Sequence, residues 1–262
     1  MSGLRRAAAL SALVATIGAC STEEQSSAQS RSGPPSEAEL SRIVAEFTHA
    51  YVESDPDRPF SARFWGVPTW QNPCDLWVFQ EILNEVRPDL VIETGTAHGG
   101  STLYLAWVLD MMGLDDSRIL TIDVEPQVEQ ASQHPLWQEK VQVMVADSVA
   151  DETLDQVRAL CEGKRVLVTL DSLHGDRHVI KELERYASLV SPGSYLIVQD
   201  TAIDRHPEWI DRFARYDGSE AGPAAAIERW LPEHPEFEVD KNREKFLFTF
   251  HPGGWLRRLE TP

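Results

Sequence analysis

The chain has 262 residues and sets 42 acidic against 24 basic side chains, a formal net charge of −18. A surface of that sign repels phosphate backbones, which excludes nucleic acid as a partner, and it repels anionic lipid, so a membrane location has to rest on an acyl chain. Three cysteines without metal-site spacing exclude a cysteine-built metal centre.

Arg5 and Arg6 precede an uncharged apolar stretch, Ala7 to Ala19, which is too short to span a bilayer and has the layout of a secretory signal. It ends Ile17-Gly18-Ala19-Cys20, and small residues directly before a cysteine resemble the bacterial lipobox. Residues 1–20 therefore read as a lipoprotein-type signal with Cys20 as the lipidated residue, and the cell envelope as the location; the protein is cytoplasmic if the signal is not used. Residues 21–36 are polar and end in Pro34-Pro35-Ser36, the composition of a disordered tether. Residues 37–262 suffice for one α/β domain with its own core. Cys74 and Cys161 are expected as free thiols.

Glu37 to Val52 carries apolar residues at Leu40, Ile43, Val44, Phe47 and Tyr51, a helical period with Ser36 as N-cap. Asp55 to Pro73 is rich in Pro, Trp and Phe and reads as a loop over a cleft, with Phe64, Trp65 and Trp70 either core or substrate wall. Asp75 to Val86 is a helix stopped by Arg87-Pro88.

Leu90-Val91-Ile92 is a buried strand that breaks at Glu93-Thr94-Gly95 into a glycine-rich turn, and a helix opens at Ser101. Glycines there allow positive φ and close approach of the backbone to a ligand, and the free N–H groups of the helix start can bind it. Gly95-Thr-Ala-His-Gly99-Gly100 lacks the G-x-G-x-x-G spacing of a dinucleotide site, and Glu93 repels a pyrophosphate but welcomes a cationic group. This favours S-adenosylmethionine, with its amino and sulfonium charges, over NAD.

The chain then alternates. Strands are expected at Arg118–Ile122, Val141–Val145, Val166–Leu170 and Tyr195–Val198, ending in Asp123, Asp147-Ser148, Asp171 and Gln199-Asp200. Helices are expected at Val128–Glu139, Asp151–Cys161, Arg177–Leu189 and Pro223–Leu231, with closing strands at Phe237–Val239 and Phe246–Phe250. That rhythm predicts a mostly parallel sheet covered on both faces, with the polar strand ends converging on one cleft. His174-Gly-Asp176 has the H-x-D spacing of a non-heme iron triad with His178 nearby, the basis of a hydroxylase reading. All three lie at one turn, however, whereas such triads usually draw their second histidine from far along the chain. His98-Gly-Gly resembles an oxyanion loop, but no G-x-S-x-G occurs, which sets a hydrolase aside.

Several stretches together resemble the cephalosporin hydroxylase and rhamnosyl O-methyltransferase family of S-adenosylmethionine-dependent enzymes. They are Pro88 to Thr96 with Gly99-Gly-Ser101, Leu170-Asp-Ser-Leu-His174 with His178-Val179, Glu182-Leu183, Leu189 to Thr201, Gly222-Pro223, Glu244-Lys-Phe246 and Pro252-Gly-Gly-Trp-Leu-Arg-Arg258. The resemblance implies a Rossmann-like class I methyltransferase fold with a seven-stranded sheet. Glu93, Gly95, Thr96, Gly99, Gly100 and Ser101 would line the methionine part of the cofactor, Asp123 would accept the ribose hydroxyls, and Asp147 and Ser148 would sit near the adenine. Asp171, Gln199 and Asp200 match the family's magnesium ligands, although glutamate is more usual at the position of Gln199, which weakens Mg2+ binding. The implied reaction is methyl transfer to a hydroxyl of a sugar, glycolipid or secondary metabolite, with His174, His178 or Lys245 as base. The family also implies homo-oligomers. The competing expectation is an exported lipoprotein that keeps the fold as a non-catalytic ligand-binding or structural module.

Overall fold

The computed structural model describes residues 33–53, 55, 61–206 and 221–260. The signal, Cys20 and nearly all of the tether lie outside them. No helix among the described residues is long and apolar enough to cross a membrane.

Helix α1 (Glu37–Glu53) starts in a capping box: Glu39 N–H donates to Ser36 Oγ at 3.3 Å, and Ser36 N–H donates to Glu39 Oε2 at 2.9 Å. A short hairpin follows, β1 (Arg63–Phe64) and β2 (Val67–Pro68), turned by Trp65 and Gly66, both at positive φ. Helix α2 (Pro73–Val86) has Pro at its first position, Asn72 accepting from Cys74 N–H, and Arg87 in the left-handed conformation at its end.

Strand β3 (Leu90–Thr94), α3 (Gly100–Met111), β4 (Arg118–Asp123), α4 (Pro135–Lys140), β5 (Val141–Val145), α5 (Asp151–Cys161), β6 (Val166–Leu170), α6 (Asp176–Tyr186) and β7 (Tyr195–Val198) alternate as expected. Helix α7 (Pro223–Trp230), β8 (Phe237–Val239) and β9 (Trp255–Arg258) complete the domain. The seven-stranded sheet runs β5-β4-β3-β6-β7-β9-β8, with the first five strands parallel and β9 antiparallel to both neighbours.

Successive strand residues face opposite sides, and both sides are covered. Leu90, Ile92, Val168, Leu170 and Val198 pack against α6 and α7 through Val179, Leu183 and Ile227. Val91, Leu167 and Ile197 pack against α2 and α3 through Ile82, Leu83 and Leu109.

Besides the β1–β2 hairpin inside the loop expected at Asp55–Pro73, two elements differ from expectation. The helix expected at Val128–Glu139 is split into a 3-10 turn, Ala131–Gln133, and α4, because Pro135 forces His134 into an extended conformation (ψ 132°). The strand expected at Phe246–Phe250 is absent, and the closing strand is β9. Leu247 has φ 65°, which breaks an extended run, and Phe250 N–H donates to Asp75 Oδ2 at 2.8 Å. Phe248 and Phe250 turn instead toward α1, edge-on to Tyr51. Cys74 and Cys161 are free thiols, both half-buried.

Candidate active site

The carboxyl ends of β3, β4, β5, β6 and β7 open into one cleft of about 610 Å³. On its β3 side, Gly95 has φ 86°, and a Cβ there would stand 1.9 Å from Asp171 O. At Gly99 a Cβ would meet the Trp137 ring at 2.6 Å, and at Gly100 it would meet Pro68 O at 2.1 Å. Within the fold, the close approach these glycines permit is to the end of β6, to α4 and to β2. Gly95 and Gly100 still line the cleft, as do Thr96 and Ser101, while Gly99 lies behind it.

Asp123, at the end of β4, holds this turn in place. Its Oδ2 accepts from Thr96 N–H at 2.8 Å and Ala97 N–H at 3.0 Å, and its Oδ1 accepts from Glu125 N–H at 2.8 Å. Glu93 is fully buried beneath the cleft and does not line it. It accepts from Ser101 Oγ at 2.9 Å, from Thr121 Oγ1 at 2.7 Å and from Thr102 Oγ1. Burial raises its carboxyl above the ordinary value, against the pull of these three hydroxyls. Because Ser101 spends its hydrogen on Glu93, it presents lone pairs to the cleft. The carboxylate expected to line the cleft thus holds Ser101 from beneath it.

Asp147 and Ser148 line the β5 side. Ser148 Oγ donates to buried Glu182 Oε1 at 2.6 Å, which also accepts from Ser172 Oγ at 2.8 Å. His178 Nε2 closes this network, 3.1 Å from Ser172 Oγ and 3.3 Å from Ser148 Oγ.

The other expected base of this turn, His174, stands elsewhere. Its Nε2 is 3.3 Å from Asp200 Oδ2 and 4.0 Å from Asp171 Oδ1, and the three residues offer ligand atoms all within 4.8 Å of one another. Asp171 is held well above the usual carboxylate range by burial and then by the charges of Asp200, Glu93 and Glu182. Burial raises Asp200 as well, partly offset by His174.

Asp200 has φ 58°, a left-handed conformation that Asp tolerates, and its N–H donates to His251 Nδ1 at 2.9 Å. His251 is buried, and burial lowers its pKa to about 3; its Nε2 lies 3.7 Å from Asp75 Oδ2. Burial raises Asp75 to about 7.

Gln199 does not join this group. Strand alternation turns it to the side of Ile197, where Thr169 and Glu93 also lie. Its Oε1 accepts from Gln71 Nε2 at 2.6 Å, its Nε2 donates to Thr169 Oγ1 at 2.8 Å, and it is absent from the cleft wall. The amide oxygen expected as a metal ligand is occupied by a protein donor. Gln71, which sequence reasoning missed, also donates to Asp171 Oδ2 at 3.1 Å. Nothing local marks it, whereas Glu182 is readable as the i+4 partner of His178 on α6.

Lys245 is not brought to the cleft: it pairs with Glu81 on α2 and covers the Phe246 ring. Asp176, the acid of the H-x-D spacing, pairs with Arg229 on α7 rather than joining His174. Of the expected acceptor walls, Trp70 lines the cleft, edge-on to His98 at 4.9 Å, together with Val52, Ile203 and Phe250. Phe64 and Trp65 pack instead on Trp107, with Trp65 also stacked on His134. Residues 207–220 of the second wall lie outside the described residues.

Five acids line the cleft, Asp123, Glu125, Asp147, Asp171 and Asp200, and no lysine or arginine does so among the described residues. Such a wall suits a cationic ligand and opposes a pyrophosphate.

A family model described as rhamnosyl O-methyltransferase/CmcI matches residues 59–259. The rhamnosyl O-methyltransferase of Mycobacterium tuberculosis (strain H37Rv) is 34% identical over 201 residues, covering 74% of this chain and 77% of that protein. The protein of the same name from Mycobacterium leprae is 34% identical over 206 residues, covering 74% and 84%. Among solved structures, apo CmcI superposes with a TM-score of 0.56 at 20% identity, covering 77% of this chain and 78% of that one. CmcI with Mg and SAM gives a TM-score of 0.56 at 18% identity, covering 76% and 77%.

Proposed function

Because the chain belongs to the rhamnosyl O-methyltransferase/CmcI family of S-adenosylmethionine-dependent O-methyltransferases, we propose that it methylates a sugar hydroxyl of a small-molecule or glycolipid acceptor with the help of a divalent cation. The observation that carries this reading is the wall of five acids, against which a sulfonium and an ammonium group are stabilised. Ser101 offers lone pairs to the ammonium group. Asp123 keeps the turn in shape through Thr96 and Ala97 and has lone pairs left for hydroxyls. Trp70 supplies a flat aromatic face and Val52, Ile203 and Phe250 an apolar wall, which together suit the C–H face of a sugar and the start of a lipid aglycone.

Asp171 and Asp200 form the hard part of a cation site. Their mutual repulsion and the absence of an arginine or lysine ion pair to either, among the described residues, fit a bound positive ion. When bound, a divalent cation lowers the pKa of the acceptor hydroxyl and fixes its direction. Of the three expected bases only His174 reaches this cluster.

The Ile17-Gly18-Ala19-Cys20 sequence supports anchoring to the cell envelope, and it equally supports the second reading, an exported module that no longer transfers methyl groups. Calorimetric titration of the full-length protein with S-adenosylmethionine separates them. Micromolar binding that Asp123→Ala abolishes, with methyl transfer to a rhamnoside, is the expected result. A folded protein that binds no S-adenosylmethionine would overturn the enzyme reading.

A further inference from the structure

The composition of the cation site departs from an all-oxygen set. The residue on the chain next to Asp200 is an amide whose oxygen and nitrogen are both engaged, by Gln71 and Thr169, and which is 2% exposed. It can turn toward the cleft only by abandoning two buried hydrogen bonds. In its place the cleft receives an imidazole. His174, Asp200 and Asp171 offer one ligand atom each within 4.8 Å of one another, and His174 Nε2 stands 3.3 Å from Asp200 Oδ2 and 4.0 Å from Asp171 Oδ1. Atoms bound to one ion at about 2.1 Å stand roughly 3 to 4 Å apart, so small side-chain adjustments close the set. Gln71 supplies a second sign of a missing ligand. It is 4% exposed, its amide nitrogen touches Asp171 Oδ2, it lines the cleft, and its Oε1 has no hydrogen-bond partner among the described residues.

We propose that the cation site of this chain is formed by Asp171, His174 and Asp200, and that its nitrogen ligand makes it select a first-row transition ion over Mg2+, borderline Co2+ and Zn2+ most strongly and the harder Mn2+ less so. The inference rests on the cation-assisted reading above and names the metal class of that site. Imidazole is a good ligand for first-row transition ions, while Mg2+ prefers oxygen and retains its waters. His174 is then a holder of the ion, not a proton acceptor. Gln71 is a positioning residue, since its amide nitrogen donates to Asp171 Oδ2, and Gln199 acts one step further back by accepting from the same nitrogen.

The test is binding, without reference to turnover. Full-length protein is titrated calorimetrically with Mn2+ and with Mg2+, and the Mn2+ complex is examined by pulsed electron paramagnetic resonance for 14N coupling from an imidazole. Expected are Mn2+ binding at least about tenfold tighter than Mg2+, a single-imidazole 14N signal in the wild-type protein, and its loss in His174→Gln with the melting temperature preserved. His174→Asp, which restores three oxygens, is expected to bring the two ions to within about threefold of each other. Mn2+ bound without 14N coupling, or Mg2+ bound as tightly as Mn2+ by the wild-type protein, would overturn the proposal even if His174 variants fail to fold. Titration with S-adenosylmethionine in the same preparations keeps the two readings apart. Cofactor binding without metal selectivity sinks only this inference, and a selective metal site without cofactor binding sinks only the methyl-transfer reading.

Discussion

The two halves of the cleft are built differently. On the β3–β4 side, Asp123, Glu93, Ser101 and the glycine turn are tied by hydrogen bonds between residues 8 to 28 positions apart, and both carboxylates are taken up by several protein donors. On the β6–β7 side, Asp171, Asp200 and Gln199 are held by Gln71 and His251, from 51 to 128 positions away, and His174 Nε2 stands within 4.0 Å of both carboxyls. The first half is held in shape by protein donors to its two carboxylates. The second is polar and, among the described residues, has no lysine or arginine paired with its two carboxyls. Stability and function should therefore divide along the same line.

The largest effect is expected where the first half is tightest. Gly95→Ala places a methyl 1.9 Å from the Asp171 carbonyl oxygen at positive φ and should cost on the order of 3 kcal/mol or more. A fall in melting temperature of roughly 10 °C would register that cost, and a variant melting like wild type would break the comparison. In the second half, Asp200→Asn keeps the left-handed backbone and the bond to His251 but removes a charge. Turnover should drop on the order of 10²-fold while the melting temperature of the metal-free protein stays level or rises, because a repulsion has gone.

A smaller effect lies behind Asp200. With Asp75 raised to about 7, stability is lost as pH rises from about 4 toward 7, since only the folded state keeps that proton. With His251 lowered to about 3, stability is lost as pH falls below about 6.5, since only the unfolded state takes that one up. Between about pH 4 and 6.5 the two slopes oppose each other, so the pair leaves wild-type stability nearly flat. Asp75→Asn should uncover a rise of up to about 1.4 kcal/mol per pH unit across that window, and His251→Asn a fall of similar size. Denaturant unfolding at several pH values reads both, and equal slopes in the two variants would refute the assignment. Lys245→Ala should change least: its pair with Glu81 is exposed, and stability should move by no more than about 0.5 kcal/mol with turnover unchanged.

The sequence by itself determined most of the fold and the location of the site. Strands β5, β6, β7 and β8 fall on the expected residues; for the central pair β6 and β7 this is because apolar runs of four or five residues between turn signals are satisfied as strands covered on both faces. The polar residue at each strand end marked the cleft for the same reason, since side chains there are released from the core. The break at His134-Pro135 was also present in the sequence, though the apolar period over Val128–Glu139 outweighed it. The tertiary structure alone decided which polar residues face the ligand. Gln199 and Asp200 are neighbours, yet one is sealed by Gln71 from 128 positions away and the other opens to the cleft. His174 and His178 share one turn, yet they enter separate networks, and Lys245 follows its ion pair away from both. Secondary structure answers to hydrogen bonds and burial within a few residues, whereas a constellation of side chains answers to sheet register and to partners that only the folded chain brings within 3 Å.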